Sequence, residues 1–153
     1  MEITFKNHQR DCRVNGPVLR SIVRSLLESE FDSFQGEGCF HLVTKNRMAE
    51  VNWKFLRHEG PTDVITFDLA EDPSRTLFLA EIYLCPAVAQ EQAIEFGSTW
   101  EEELIRYHIH ALLHLHGYDD TTPELRETMK HEEERILNQM RDRFDFGRVA
   151  KTP

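Results

Sequence analysis

Apolar positions along this chain change their spacing several times, and each change marks an element. Residues 2–6 alternate polar and apolar, the two-residue period of a strand with one buried face. Asn15-Gly16-Pro17 then reads as a turn with proline near a helix start. Leu19, Ile22, Val23, Leu26 and Leu27 follow at three- to four-residue spacing and predict a helix to about residue 29. Gly36 and Gly38 read as a loop, and Cys39, Phe40, Leu42 and Val43 as a second strand. Asn46 suits the cap of a helix over roughly 47–56, with Val51 and Phe55 inward and Gly60-Pro61 closing the stretch. Residues 64–69 and 77–84 are β-branched and apolar runs on either side of the turn Glu71-Asp72-Pro73-Ser74, which predicts paired strands.

Three more helices complete the pattern. The first opens on Pro86, packs through Val88, Ala89 and Ala93, and stops at Gly97. The second opens on Ser98-Thr99-Trp100-Glu101, which has the form of a capping box, and continues to Gly117. The third runs from Thr122-Pro123 to about residue 141. The order β-α-β-α-β-β-α-α-α predicts an α/β (α+β) fold, one domain over residues 1–153 with a small mixed four-stranded sheet flanked by helices.

Composition narrows the setting. No apolar run approaches the roughly 20 residues of a membrane span, and the first residues lack a basic segment followed by an apolar one. Cys12, Cys39 and Cys85 are odd in number and widely spaced, so reduced thiols in a cytoplasmic protein are expected. Cys39 and Cys85, in apolar strand-like segments, read as small core residues rather than metal ligands. A net charge of −9 excludes a broad basic surface; any nucleic-acid contact is local, and DNA is not an expected partner. The acidic runs Glu101-Glu102-Glu103 and Glu132-Glu133-Glu134 read as solvated helix faces.

The chemistry concentrates in His108-Ile109-His110-Ala111-Leu112-Leu113-His114-Leu115-His116-Gly117-Tyr118-Asp119-Asp120. Residues four apart on a helix differ by about 40° around its axis, so His110 and His114 share one face and suit one ion. His108 and His116 each lie about 200° from a member of that pair and read as packed imidazoles. Gly117 permits a turn with positive φ that folds residue 120 back, and Asp120 then supplies a third ligand. Two imidazoles and a carboxylate, with a fourth position left over, fit one Zn2+ ion in a hydrolytic site and fit magnesium or calcium poorly. A metzincin-like peptidase would carry glutamate directly after the first histidine; Ala111 stands there and takes no proton.

The same segment resembles the rRNA maturation endoribonuclease YbeY family, whose signature reads HGxLHLxGYDH. A second family block, an asparagine and arginine followed by Pro-Thr-Asp-Val-Leu-Ser-Phe, is matched by Asn52 and Arg57 and by Pro61-Thr62-Asp63-Val64-Ile65-Thr66-Phe67. A third, Gly-Asp-Ile, corresponds to Ala80-Glu81-Ile82, and the likeness in organisation spans about residues 2–140. The resemblance implies a zinc-dependent endoribonuclease acting on single-stranded RNA in rRNA maturation and ribosome quality control, in contact with the ribosome or ribosomal proteins. It implies metal binding at His110, His114 and position 120, where this chain has Asp in place of the family's third histidine. Arg57 matches the family's functional arginine, and a guanidinium suits a phosphate by two parallel hydrogen bonds. Lys45, Arg47 and Lys54 offer a modest basic rim beside it, Asp63 reads as a structural residue at a strand entrance, and His58 as a surface histidine. The alternative is a non-catalytic ribosome-assembly factor whose zinc is structural, with a fourth ligand such as His116.

Overall fold

The computed structural model describes residues 1–74 and 76–152. Four strands, β1 (Glu2–Asn7), β2 (Gln35–Leu42), β3 (Val64–Asp68) and β4 (Leu77–Leu84), form one sheet in the order β1-β2-β4-β3. β1, β2 and β4 are mutually parallel, and β3 runs antiparallel to β4 at the edge. The helices are α1 (Gly16–Glu30), α2 (Lys45–Val51), α3 (Pro86–Phe96), α4 (Trp100–Leu115) and α5 (Pro123–Arg143). The fold is thus α+β with a mixed four-stranded sheet, as the element order predicts.

The main core lies between one face of the sheet and α1, α4 and α5. β2 and β4 send Phe40, Leu42, Phe78, Ile82 and Leu84 to this face, where they meet the predicted stripe of α1, all five of whose residues are buried. α4 is buried on most sides because other elements cover it; its buried residues include Leu104, Ile105, Ile109, Leu112 and Leu113. Each such leucine contributes on the order of 2 kcal/mol through burial, so truncation here unfolds the platform for everything α4 carries. The opposite face of the sheet is only partly covered, by a smaller cluster of Val43, Met48, Val51, Ile65, Cys85 and Val88.

Several boundaries differ from expectation for identifiable reasons. Gly36 and Gly38 lie inside β2, not in a loop. A Cβ on Gly36 (φ 137°) would stand 2.0 Å from the Phe78 carbonyl oxygen, and one on Gly38 would stand 2.2 Å from the Phe78 ring, so the glycines let β2 approach β4. The helix after β2 is capped by Thr44, whose hydroxyl accepts from the Arg47 N–H at 3.2 Å, and not by Asn46. It widens into a π-helical turn over Asn52–Leu56, so the α-helical period fails there and Phe55 points outward, 56% exposed.

The cap of α4 is Thr99 rather than Ser98: Thr99 accepts from the Glu102 N–H at 3.3 Å, while the Ser98 hydroxyl donates to the Glu102 carboxylate at 2.9 Å. α3 and the turn around Asp72 form as predicted; the Asp72 carboxylate accepts from the N–H groups of Ser74, Thr76 and Leu77, which hold it well below the usual carboxylate range. Beyond α5 a 3-10 turn, Phe146–Val149, returns the chain to Val14 through a bridge with Ala150.

Cys12 and Cys85 are buried, but Cys39 is only half-buried on the less covered face, because its neighbours Phe40 and Leu42 take the inward positions of β2. Among the described residues no helix is long and apolar enough to cross a membrane.

Candidate metal centre

α4 ends at Leu115, and Gly117 (φ 112°) reverses the chain toward the start of α5. The returning loop is held by Asp119, which accepts from the Asp120 N–H at 2.7 Å and from the Thr121 hydroxyl at 3.0 Å. These bonds stabilise the Asp119 carboxylate charge and aim its neighbour Asp120 back at α4. The Asp120 carboxylate oxygen lies 3.5 Å from His114 Nε2 and 3.9 Å from His110 Nε2. All three ligand atoms fall within 4.8 Å of one another. Ligands about 2.1 Å from one tetrahedral zinc are about 3.4 Å apart, so the two distances to Asp120 fit the ion with shifts of about half an ångström or less.

The far nitrogens of both imidazoles are already engaged. His110 Nδ1 donates to the Glu133 carboxylate at 2.9 Å, and His114 Nδ1 donates to the Tyr118 carbonyl at 3.1 Å. With the proton on Nδ1, each Nε2 lone pair faces Asp120, the tautomer that metal binding requires. Burial alone would push His110 down, but the hydrogen bond and charge of Glu133, with Asp63 and Asp120 adding, carry it above its ordinary value.

Glu133 is buried on α5 and shared with Arg106, which lies 3.4 Å from it, 3.7 Å from Glu103 and in closer contact with Glu134. Glu103 and Glu133 are therefore not part of solvated faces. Burial pushes the Glu103 carboxyl up and Arg106 opposes that shift, so one guanidinium offsets part of the cost of burying acidic groups here. Sequence reasoning missed Glu133, although a signal existed. It stands four residues from both Met129 and Leu137, on the apolar stripe that also includes Ile136 and Met140, where an unpartnered carboxylate has no reason to be.

The two other histidines of the segment are packed, as their helical phase predicts. His108 is fully buried between Phe5 and Phe40, with Nδ1 bonded to the Leu104 carbonyl at 2.8 Å, and burial lowers it to about 4. His116 sits edge-on to Phe31 and Phe34, with ring centroids 5.6 and 5.5 Å away, and does not join the metal-ligand group.

Two depressions meet at this centre. A cleft of about 740 Å³ runs between α4 and α5 and includes His110, Asp120 and Asp63 with the cations Arg106, Arg126 and Lys130. A smaller groove of about 420 Å³ holds His110, His114 and Asp120 beside Leu56 and the start of β3. Asp63 has the structural role expected of it, accepting from the Val64 N–H at 2.7 Å, and also faces both depressions.

Arg57 does not sit among the three ligands. It ends the π-helical turn in the left-handed conformation (φ 57°), and its guanidinium lies over the Trp53 ring at 5.6 Å, while its chain neighbour Leu56 lines the smaller groove. Asn52 shapes this corner by donating to the Gly60 carbonyl at 2.9 Å. The expected basic rim is largely engaged elsewhere: Lys45 pairs with Glu91, Arg47 with Glu50 at 3.2 Å, and Lys54 lies over the Phe55 ring.

Known proteins resemble this chain in sequence and in fold. Endoribonuclease YbeY from Thermotoga petrophila is 45% identical over 78 residues, 51% of this chain and 49% of that protein, so the match spans about half the length of such relatives. The protein of the same name from Chlorobium luteolum is 39% identical over 112 residues, covering 69% of this chain and 80% of its own length. The solution structure of TM1509 from Thermotoga maritima superposes with a TM-score of 0.63 at 29% identity, covering 94% of this chain and 93% of the other. The family model described as Endoribonuclease YbeY matches residues 4–141, and the chain belongs to that family.

Proposed function

We propose that this protein is a zinc-dependent endoribonuclease that hydrolyses single-stranded RNA in rRNA maturation and ribosome quality control, in the cytoplasm and in contact with the ribosome. The observation that carries the metal part is the convergence of His110 Nε2, His114 Nε2 and the Asp120 carboxylate at the junction of two grooves. Three protein ligands beside an open cleft are the arrangement of hydrolytic zinc, whereas structural zinc closes its shell with a fourth. The RNA part rests on the family and on the cations of the cleft.

His110, His114 and Asp120 would hold the ion, which when bound supplies electrophilic stabilisation of a phosphoryl oxygen and a more acidic water. Glu133 and the Tyr118 carbonyl keep both imidazoles in the ligating tautomer. Arg126 and Lys130 are the cleft cations that would meet a phosphate backbone, in a lining that also carries Glu127, Glu133 and Glu134. Arg57, which follows the groove-lining Leu56 in the chain, is the proposed phosphate contact that offsets charge developing during cleavage.

The test pairs metal analysis with cleavage of a single-stranded RNA oligonucleotide by the parent and by His114→Ala. The reading expects zinc in the parent and loss of both zinc and cleavage in the variant; cleavage that survives chelation and the substitution alike overturns it.

A further inference from the structure

On the less covered face of the sheet, Cys39 and His41 of β2 stand beside Glu81 of β4. Cys39 is in register with Glu81, and His41 with Tyr83. The thiol sulfur, an imidazole nitrogen and a carboxylate oxygen of these three residues lie within 4.8 Å of one another. We propose that Cys39, His41 and Glu81 form a second metal site, for a thiophilic divalent ion of the zinc class, distinct from the centre on α4.

Strand geometry places the donors without any loop. Residues two apart on a strand share a face, and both strands are interior to the sheet, so backbone bonding holds the donor positions. Phe40, between the two ligands of β2, points the other way and packs on His108 of α4, which puts the sheet itself between this site and the first one.

The His41 ring is stacked on Tyr83 at 4.5 Å and 10°, fixing the plane from which Nε2 meets Glu81 at 2.5 Å. Burial and the adjacent Glu81 carboxylate push the Cys39 thiol up, with Lys6, in register with His41, opposing them, so the thiol keeps its proton until an ion displaces it. A thiolate and a carboxylate together balance a doubly charged ion, and a sulfur–nitrogen–oxygen set selects zinc-like metals over magnesium or calcium. On binding, the Cys39 thiol proton leaves to solvent, the His41 ring carries its proton on Nδ1 so that the neutral imidazole ligates through Nε2, and the three heteroatoms turn to the ion. All three side chains are half-buried, so the ion has a path in and a fourth position toward solvent.

Cobalt(II) distinguishes the two sites in the intact chain. Cobalt at the centre on α4 meets only nitrogen and oxygen, whereas cobalt at Cys39 gives the near-ultraviolet absorption of a thiolate-to-metal charge transfer. The expected result is that absorption in the parent, its loss in Cys39→Ser, its persistence in His114→Ala, and a zinc content lower by about one ion per chain in Cys39→Ser than in the parent. Cobalt bound without thiolate absorption, or absorption unchanged by Cys39→Ser, overturns the proposal. Neither result depends on RNA cleavage.

Discussion

On one side of the end of α4, His110 and His114 turn their Nε2 atoms toward a carboxylate and an open cleft; on the other, His108 and His116 press against phenylalanine rings. The four residues are identical in chemistry and lie within a stretch of nine residues, one pair flanking the other, yet the inner pair has its Nδ1 atoms bonded and its Nε2 atoms turned to a cleft while each outer ring leaves a nitrogen buried and unbonded. His108 Nε2 and His116 Nδ1 are buried with no hydrogen-bond partner among the described residues, while the Nδ1 atoms of His110 and His114 are bonded to Glu133 and to the Tyr118 carbonyl. A ligand is thus made by what stands behind the imidazole as much as by the imidazole itself.

The contrast is broken most severely by exchanging the roles of the two sides. Replacing His110 or His114 by alanine should abolish zinc retention and reduce RNA cleavage by about a thousand-fold or more, with the fold intact by circular dichroism. His116→Phe should leave zinc content unchanged, since that ring only fills space between Phe31 and Phe34. Zinc lost from His116→Phe and kept in His114→Ala would reverse the assignment.

A second effect belongs to the packed side alone. His108 is held at about 4 against an ordinary 6.5, so the unfolded chain binds the extra proton between those values. The associated stability is fully present above about pH 6.5 and is lost as pH falls through about 4, a total of about 3 kcal/mol. Denaturant unfolding at several pH values should show this loss in the parent and a shallower one in His108→Leu; identical slopes would remove His108 as the cause.

On the ligand side, Glu133→Gln keeps the shape but weakens the hold on His110. Zinc affinity should fall about 10- to 100-fold, read by competition with a chelator, and excess zinc should restore activity. A drop that zinc does not restore would point to a different role for Glu133. The smallest change expected is in Asp120→His: a neutral third ligand raises the net charge of the zinc site, makes its water more acidic and moves the pH–rate profile downward. Coincident profiles for the zinc-loaded proteins would count against the carboxylate as a ligand.

Much of this arrangement is visible in one dimension. The helical phase separates His110 and His114 from His108 and His116, Gly117 announces the reversal, and the stripe of α1 predicts its buried face residue by residue. The misreadings share a cause. Gly36 and Gly38 look like loop residues until Phe78 of another strand is placed against them, and Phe55 looks inward until a π-helical turn shifts its phase. Glu103 and Glu133 look solvated because acidic runs usually are; their burial follows from Arg106, which is distant in sequence from Glu133 and comes close only when α4 packs on α5. Lys45 and Arg47 looked available for RNA, and their partners Glu91 and Glu50 occupy them.

What the sequence determined by itself was whatever depends on local periodicity: the elements, the buried stripes, and the pairing of His110 with His114, since four residues along a helix set a fixed angle. Tertiary structure alone decided what depends on contacts between distant segments. It placed Glu133 behind His110 and brought Cys39 and His41 beside Glu81. Such contacts are chosen by packing, in which the burial of apolar faces fixes where each polar group must find its partner.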